Sequence, residues 1–255
     1  MTGAERIAAA LSSPKQGSTA LVAYLTAGWP TREGFRDLLD RVADVADVVE
    51  IGVPFSDPMA DGVTLQRTAR EALAGGVTLQ WIADLLVERG PHATPTLLMG
   101  YTNPFHQFGW RRLASACGAS LDGFIIPDLP PEESGDCDRV VEAFGLGMVR
   151  LVAPNTPDDR LDRLVAAASG FVYAVTVNGI TGSALGDVGG NLDRVAAAAK
   201  GRGIPVCAGF GVRTRDDVAR LGKHVDGVIV GTALADVIAR GEDPIAYLRG
   251  LVGAS

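Results

Sequence analysis

Residues 48–62 read VVEIGVPFSDPMADG, a stretch that begins as a buried β-strand and then breaks its own pattern. Four of the first six residues are Val or Ile, as in a strand covered on both faces, yet Glu50 sits among them. Side chains alternate along a strand, so Val48, Glu50 and Gly52 share one face while Val49 and Ile51 take the other. Gly52 and Pro54 make a defined exit, and Asp57-Pro58 and Asp61-Gly62 are turn formers. Asp57 reads as structural, because the residue before Pro is held extended and its side chain can tie the loop's backbone.

Seven other runs have the same character: TALVAYLTAG (19–28), PTLLMGY (95–101), DGFIIPD (122–128), GMVRLVAP (147–154), GFVYAVT (170–176), IPVCAGFG (204–211) and DGVIVGTA (226–233). Helical periodicity fills the intervals. Residues 31–44 open on Thr31 with Glu33 close behind, and 130–145 begin with prolines in the first turn and end on Gly145. Residues 156–170 have Thr156 as N-cap, Pro157 at the first helical position, acids in the first turn and Gly170 at the end, and 214–222 repeat the Thr, the acids and the final Gly on a smaller scale. Eight strand–helix units imply a single (β/α)8 barrel, with a doubly wound sheet of eight strands as the rival. A short extra helix, 4–11, precedes the first strand.

Bulk properties narrow the function. The 255 residues are 47% hydrophobic and 21% charged, no Pro/Gly/Ser-rich linker divides them, and one domain over 1–255 is expected. A net charge of −7 argues against nucleic acid or an anionic membrane as partner. Cys117, Cys137 and Cys207 form no C-x-x-C pair and read as reduced thiols of a cytoplasmic protein. His92, His106 and His224 lack metal-ligand spacing, so no metal site is expected. The N-terminus lacks signal-peptide character, and no apolar run is long enough to span a membrane.

In a barrel, chemistry belongs at the carboxyl ends of the strands. Glu50 near its strand's end is most economically placed inward, at the mouth, where burial raises a carboxyl pKa into the range useful for proton transfer. The bland alternative has Glu50 facing outward and paired with a Lys or Arg. Asp61 is either a second site carboxylate or a turn residue only. After the last strands come Gly209, Gly211 and Gly231-Thr232, where backbone N–H groups and a helix N-terminus suit an anion. Gly182-Ser183, in the glycine-rich loop after strand six, is expected to complete the same cradle, and the glycines there lead one to expect a mobile lid.

These residues carry a resemblance. YLTAG (24–28), EIGVPFSDPMADG (50–62), PDLPPEES (127–134), GITG (179–182), GFGV (209–212) and GVIVGTA (227–233) follow the order and spacing of the tryptophan synthase α subunit family, a TIM-barrel family. The resemblance implies a lyase that cleaves indole-3-glycerol phosphate to indole and glyceraldehyde 3-phosphate. It assigns Glu50 as the acid–base group at indole C3, Asp61 as the partner of the indole N–H, and Tyr173 as a neighbour of the reacting centre. It assigns Gly182, Gly211, Gly231 and Thr232 to the phosphate, and Tyr24, Leu98, Tyr101, Ile125, Pro127 and Phe210 to an indole slot. It also implies no metal or organic cofactor in this chain, and a pyridoxal-phosphate β subunit as partner in an α2β2 heterotetramer. Val63 stands where the family usually has Pro, and Val177 and Asn178 lie near a position that is Arg in some relatives. Those departures leave two other expectations open: a stand-alone indole-releasing lyase, and a barrel that only binds.

Overall fold

The computed structural model describes residues 1–176, 188–209 and 211–253. Its strands close in sequence order into an all-parallel barrel: β1 (Ala20–Thr26), β2 (Val48–Gly52), β3 (Thr96–Met99), β4 (Gly123–Ile125), β5 (Gly147–Val152), β6 (Val172–Val175), β7 (Val206–Gly209) and β8 (Gly227–Val230). The doubly wound alternative is thereby excluded, since β1 pairs with β8. The helices are α1 (Gly3–Ser12), α2 (Arg32–Val45), α3 (Val63–Ala74), α4 (Leu79–Arg89), α5 (Thr102–Phe108) and α6 (Trp110–Cys117). They continue with α7 (Gly135–Phe144), α8 (Asp158–Ala166), α9 (Val188–Lys200), α10 (Arg215–Leu221), α11 (Thr232–Ala239) and α12 (Pro244–Val252).

Alternation along each strand divides the core in two. Val22, Val48, Leu97, Ile125, Val149, Phe171, Cys207 and Ile229 fill the barrel, while Leu21, Val49, Ile51, Leu98, Phe124 and Val228 pack against the helices. Helix α1 closes the amino-terminal end: Ile7 and Leu11 join the inner cluster, and a Thr2–Glu5 capping box starts the helix. All three cysteines are buried free thiols. No helix among the described residues is long and apolar enough to cross a membrane.

Two helix starts differ from the sequence reading. Pro130 and Pro131 lie in a turn before α7, which begins only at Gly135 behind Ser134. Pro157 is itself the N-cap of α8, because the Thr156 hydroxyl accepts the Ala153 N–H at 3.1 Å instead of capping the helix. In both places a local turn competes for the group expected to cap. Thr31 and Thr214 do cap α2 and α10, and Gly145 ends α7 in the left-handed conformation.

Candidate active site

Glu50 points into the barrel, in register with Tyr24 on β1 and Leu97 on β3. It is fully buried, and among the described residues neither carboxylate oxygen has a hydrogen-bond partner. Burial alone pushes its pKa up to about 8, so the acid is protonated at neutral pH. The outward, ion-paired alternative is excluded by this orientation.

Two tyrosines flank it, and glycines make their room. A Cβ on Gly52 would sit 2.0 Å from the Tyr24 hydroxyl oxygen, and one on Gly209 would sit 2.2 Å from that of Tyr173. Gly209 thus accommodates a phenol, not an approaching ligand as the sequence suggested. Both hydroxyls are buried beside Glu50 and Asp61, and burial with that negative charge drives both pKa values far up. They remain neutral hydrogen-bonding groups across the working pH range.

Asp61 sits in the turn before α3, half-buried at the mouth. The Tyr101 hydroxyl accepts the Ala60 N–H at 2.9 Å and donates to the Asp61 carboxylate, while its ring lies 5.4 Å from that of Phe55. Desolvation raises the Asp61 pKa to about 6, with the Tyr101 bond opposing it, so this carboxylate is mostly ionised at neutral pH. Gly62 precedes Val63 at the first position of α3, a first-turn site where either Val or Pro fits without losing a helix hydrogen bond. Asp57 is exposed, and its carboxylate accepts from the Ser56 hydroxyl rather than from loop backbone.

Glu50, Asp61, Tyr24 and Tyr173 share one cleft with Gly211, Gly231 and Thr232. The empty space in and above it, open mouth included, is about 620 Å³. Gly211 adopts φ +93°, a conformation glycine supplies without strain, and open space surrounds its missing Cβ. Gly231 is the N-cap of α11, which starts at Thr232 and directs its first N–H groups at the cleft.

The predicted aromatic slot is only partly assembled. Leu98 faces the helices, and its neighbour Met99 lines the cleft, because the alternation that turns Glu50 inward selects the odd-numbered residues of β3. Ile125 lies in the inner core below, and Pro127 lines a broader groove that meets the cleft at Asp61. Tyr101 anchors the Asp61 turn. Gly182, Ser183, Val177, Asn178 and Phe210 lie outside the described residues. The lining residues missed in the sequence are Leu65, Met99, Val212, Arg213, Ile229 and Ala233. Met99 and Ile229 lie in wholly apolar runs whose inward parity the sequence does not show, and Arg213, two residues past Gly211, had no signal either. No group of three potential ligands that could hold a metal ion occurs among the described residues.

A closed parallel barrel with carboxylates gathered at the carboxyl ends of its strands defines a β/α-barrel enzyme. A profile of the family described as tryptophan synthase alpha chain matches residues 11–249. The tryptophan synthase alpha chain of Roseiflexus castenholzii is 43% identical over 248 residues, covering 92% of this chain and 95% of the relative. The solved alpha chain of Legionella pneumophila superposes with a TM-score of 0.84 at 30% identity, covering 98% of this chain and 96% of that one. A tryptophan synthase structure from Mycobacterium tuberculosis gives 0.83 at 32% identity, covering 98% and 95%. The chain belongs to the tryptophan synthase α-chain family, whose members are lyases that cleave indole-3-glycerol phosphate.

Proposed function

We propose that this chain cleaves indole-3-glycerol phosphate to indole and glyceraldehyde 3-phosphate with Glu50 as acid–base and Asp61 as electrostatic partner. The observation that carries the reading is Glu50 itself: protonated at neutrality, without a hydrogen-bond partner among the described residues, and on the wall of a cleft that also holds Asp61. Glu50 donates its proton to indole C3, which leaves an indolenine cation. Asp61, still ionised, accepts a hydrogen bond from the ring N–H and stabilises that cation. The glycerol hydroxyl on the carbon attached to C3 then gives its proton to the Glu50 carboxylate. The C–C bond breaks, its electron pair restores the indole, and the hydroxyl carbon becomes the aldehyde. One carboxylate with a raised pKa and a second that stays charged meet both needs.

Tyr24 and Tyr173 border the reacting region as neutral phenols, and the amides at Gly211, Gly231 and Thr232, with Gly182, take the phosphate. The proton transfers run between side chain and substrate, and the C–C cleavage they drive is redox-neutral overall, so no cofactor is assigned to this chain. Three buried free thiols agree with a reducing, cytoplasmic setting. As a member of an α-chain family it implies a β-chain partner, which we extend to an α2β2 assembly. Met59 (81% exposed) and Val63 (85% exposed) flank Asp61 and give that partner an apolar foothold beside the mouth.

The test is indole release from indole-3-glycerol phosphate by the purified chain, with and without added β subunit. Glu50→Gln should lower kcat at least about 10³-fold while leaving binding of inorganic phosphate measurable, and Asp61→Asn should lower it about 10²-fold or more. Near-normal turnover in Glu50→Gln would remove that residue from its role. High turnover alone that does not rise with β subunit would favour a stand-alone lyase.

A further inference from the structure

The cleft carries its charge unevenly. Glu50 and Asp61 come from β2 and the turn behind it; Arg213, the one cationic side chain among the described lining residues, comes from the turn after β7, beside Gly211. The backbone of Arg213 is fixed on both sides. Its N–H donates to the Asp217 carboxylate at 3.1 Å, and its carbonyl accepts the Tyr247 hydroxyl of α12 at 2.8 Å. The guanidinium lies 3.2 Å from Asp236 of α11, whose other oxygen accepts the Thr64 hydroxyl of α3, also at 3.2 Å.

With side-chain exposures of 58% and 26%, the Arg213–Asp236 pair is solvent-screened and weak at rest, so its exchange for a better partner costs little. A phosphoryl group bears roughly −1.5 to −2 charges at neutral pH. The ionised Asp61 repels it, and backbone amides meet it with partial charges only. A guanidinium supplies a full charge and a forked donor that matches phosphate oxygens.

We propose that Arg213 is a phosphoryl-binding residue that exchanges Asp236 for a phosphate oxygen when substrate enters, and so selects the phosphorylated indole glycerol over its unphosphorylated form. This deepens the function proposed above and rests on its placing of the phosphate by the turns after β7 and β8. Asp236 is then a resting partner that competes with the ligand, which gives the two residues opposite signs.

The experiment combines steady-state kinetics on indole-3-glycerol phosphate with calorimetric titration of inorganic phosphate and of indole. Arg213→Ala should raise both KM and the phosphate Kd about tenfold, with a much smaller change in kcat, and Arg213→Lys should recover part of the loss. Asp236→Asn should lower both constants by about threefold, since it frees the guanidinium and removes a like charge from the ligand's surroundings. Indole affinity should stay at the wild-type value in all three. A merely structural pair would shift both residues' variants in the same direction. Wild-type KM and phosphate affinity in Arg213→Ala, or Asp236→Asn weakening phosphate as Arg213→Ala does, would overturn the proposal. If the wild-type chain releases no indole, the function proposed above fails, while the phosphate titrations still decide the role of Arg213.

Discussion

A carboxyl group with no partner among the described residues, sealed in an apolar wall, opposes the stability of the chain that carries it. The ordinary Glu pKa is 4.5, and in the folded protein burial takes Glu50 to about 8. Between those values the folded state holds a proton that the unfolded chain releases, so stability is fully present below about pH 4.5 and is lost as pH rises through 8. At about 1.4 kcal/mol per pH unit, the loss is on the order of 3–5 kcal/mol. Glu50→Gln should therefore be inactive yet more stable than the wild type at pH 9, with the gap closing toward pH 5. Denaturant unfolding of both proteins across that range measures it, and parallel stability curves would contradict the assignment. Activity should follow the same group, with kcat/KM falling above about pH 8 as Glu50 ionises and below about pH 6 as Asp61 takes up its proton.

At the scale of elements, one device recurs around the amino-terminal rim. Asp47, just before β2, accepts the Leu21 N–H of β1 at 2.7 Å; Asp122, before β4, accepts the Thr96 N–H of β3 at 2.8 Å. Asp226, before β8, accepts the Val206 N–H of β7, and Ser169, before β6, accepts the Met148 N–H of β5, both at 2.8 Å. Each pair of strands is thus pinned by a side chain of the entering loop. Asp47→Ala would leave a buried N–H unpaired and should cost about 1–3 kcal/mol in denaturant unfolding with KM unchanged. The three aspartates stand in the sequence in front of their strands, but nothing in a one-dimensional pattern says that they reach sideways. The strands were legible because burial on both faces leaves continuous Val, Ile and Leu runs. Their ends were not, because Gly and Pro mark the loop as well as the last paired residue. Glu50 was legible as a charge in such a run; Leu98, which only the resemblance put in the slot, faces the helices, and a fully apolar strand hides that parity until registry with Glu50 reveals it.

At the scale of the molecule, the barrel separates what keeps it folded from what it does. One end is a plug: Ile7 and Leu11 of α1 sit under the inner cluster, and a Cβ on Gly147 would lie 2.9 Å from the Ile7 Cδ1 atom. The other end holds buried charge and phenols, groups that cost stability and perform chemistry. Between them lie the apolar inner side chains of Val48, Leu97, Ile125 and Val149, which keep water and the plug away from Glu50. If that partition is right, damage at the plug should register in stability and not in turnover. Ile7→Ala removes a fully buried side chain and should cost about 2–5 kcal/mol, the spread reflecting how far α1 can settle into the space. In the surviving folded fraction, kcat and KM should match the wild type, and the base-side pH limb near 8 should not move. A shifted limb would mean that water admitted through the plug reaches Glu50, and that the apolar layer, rather than the mouth alone, sets the acidity of the proton that the reaction uses.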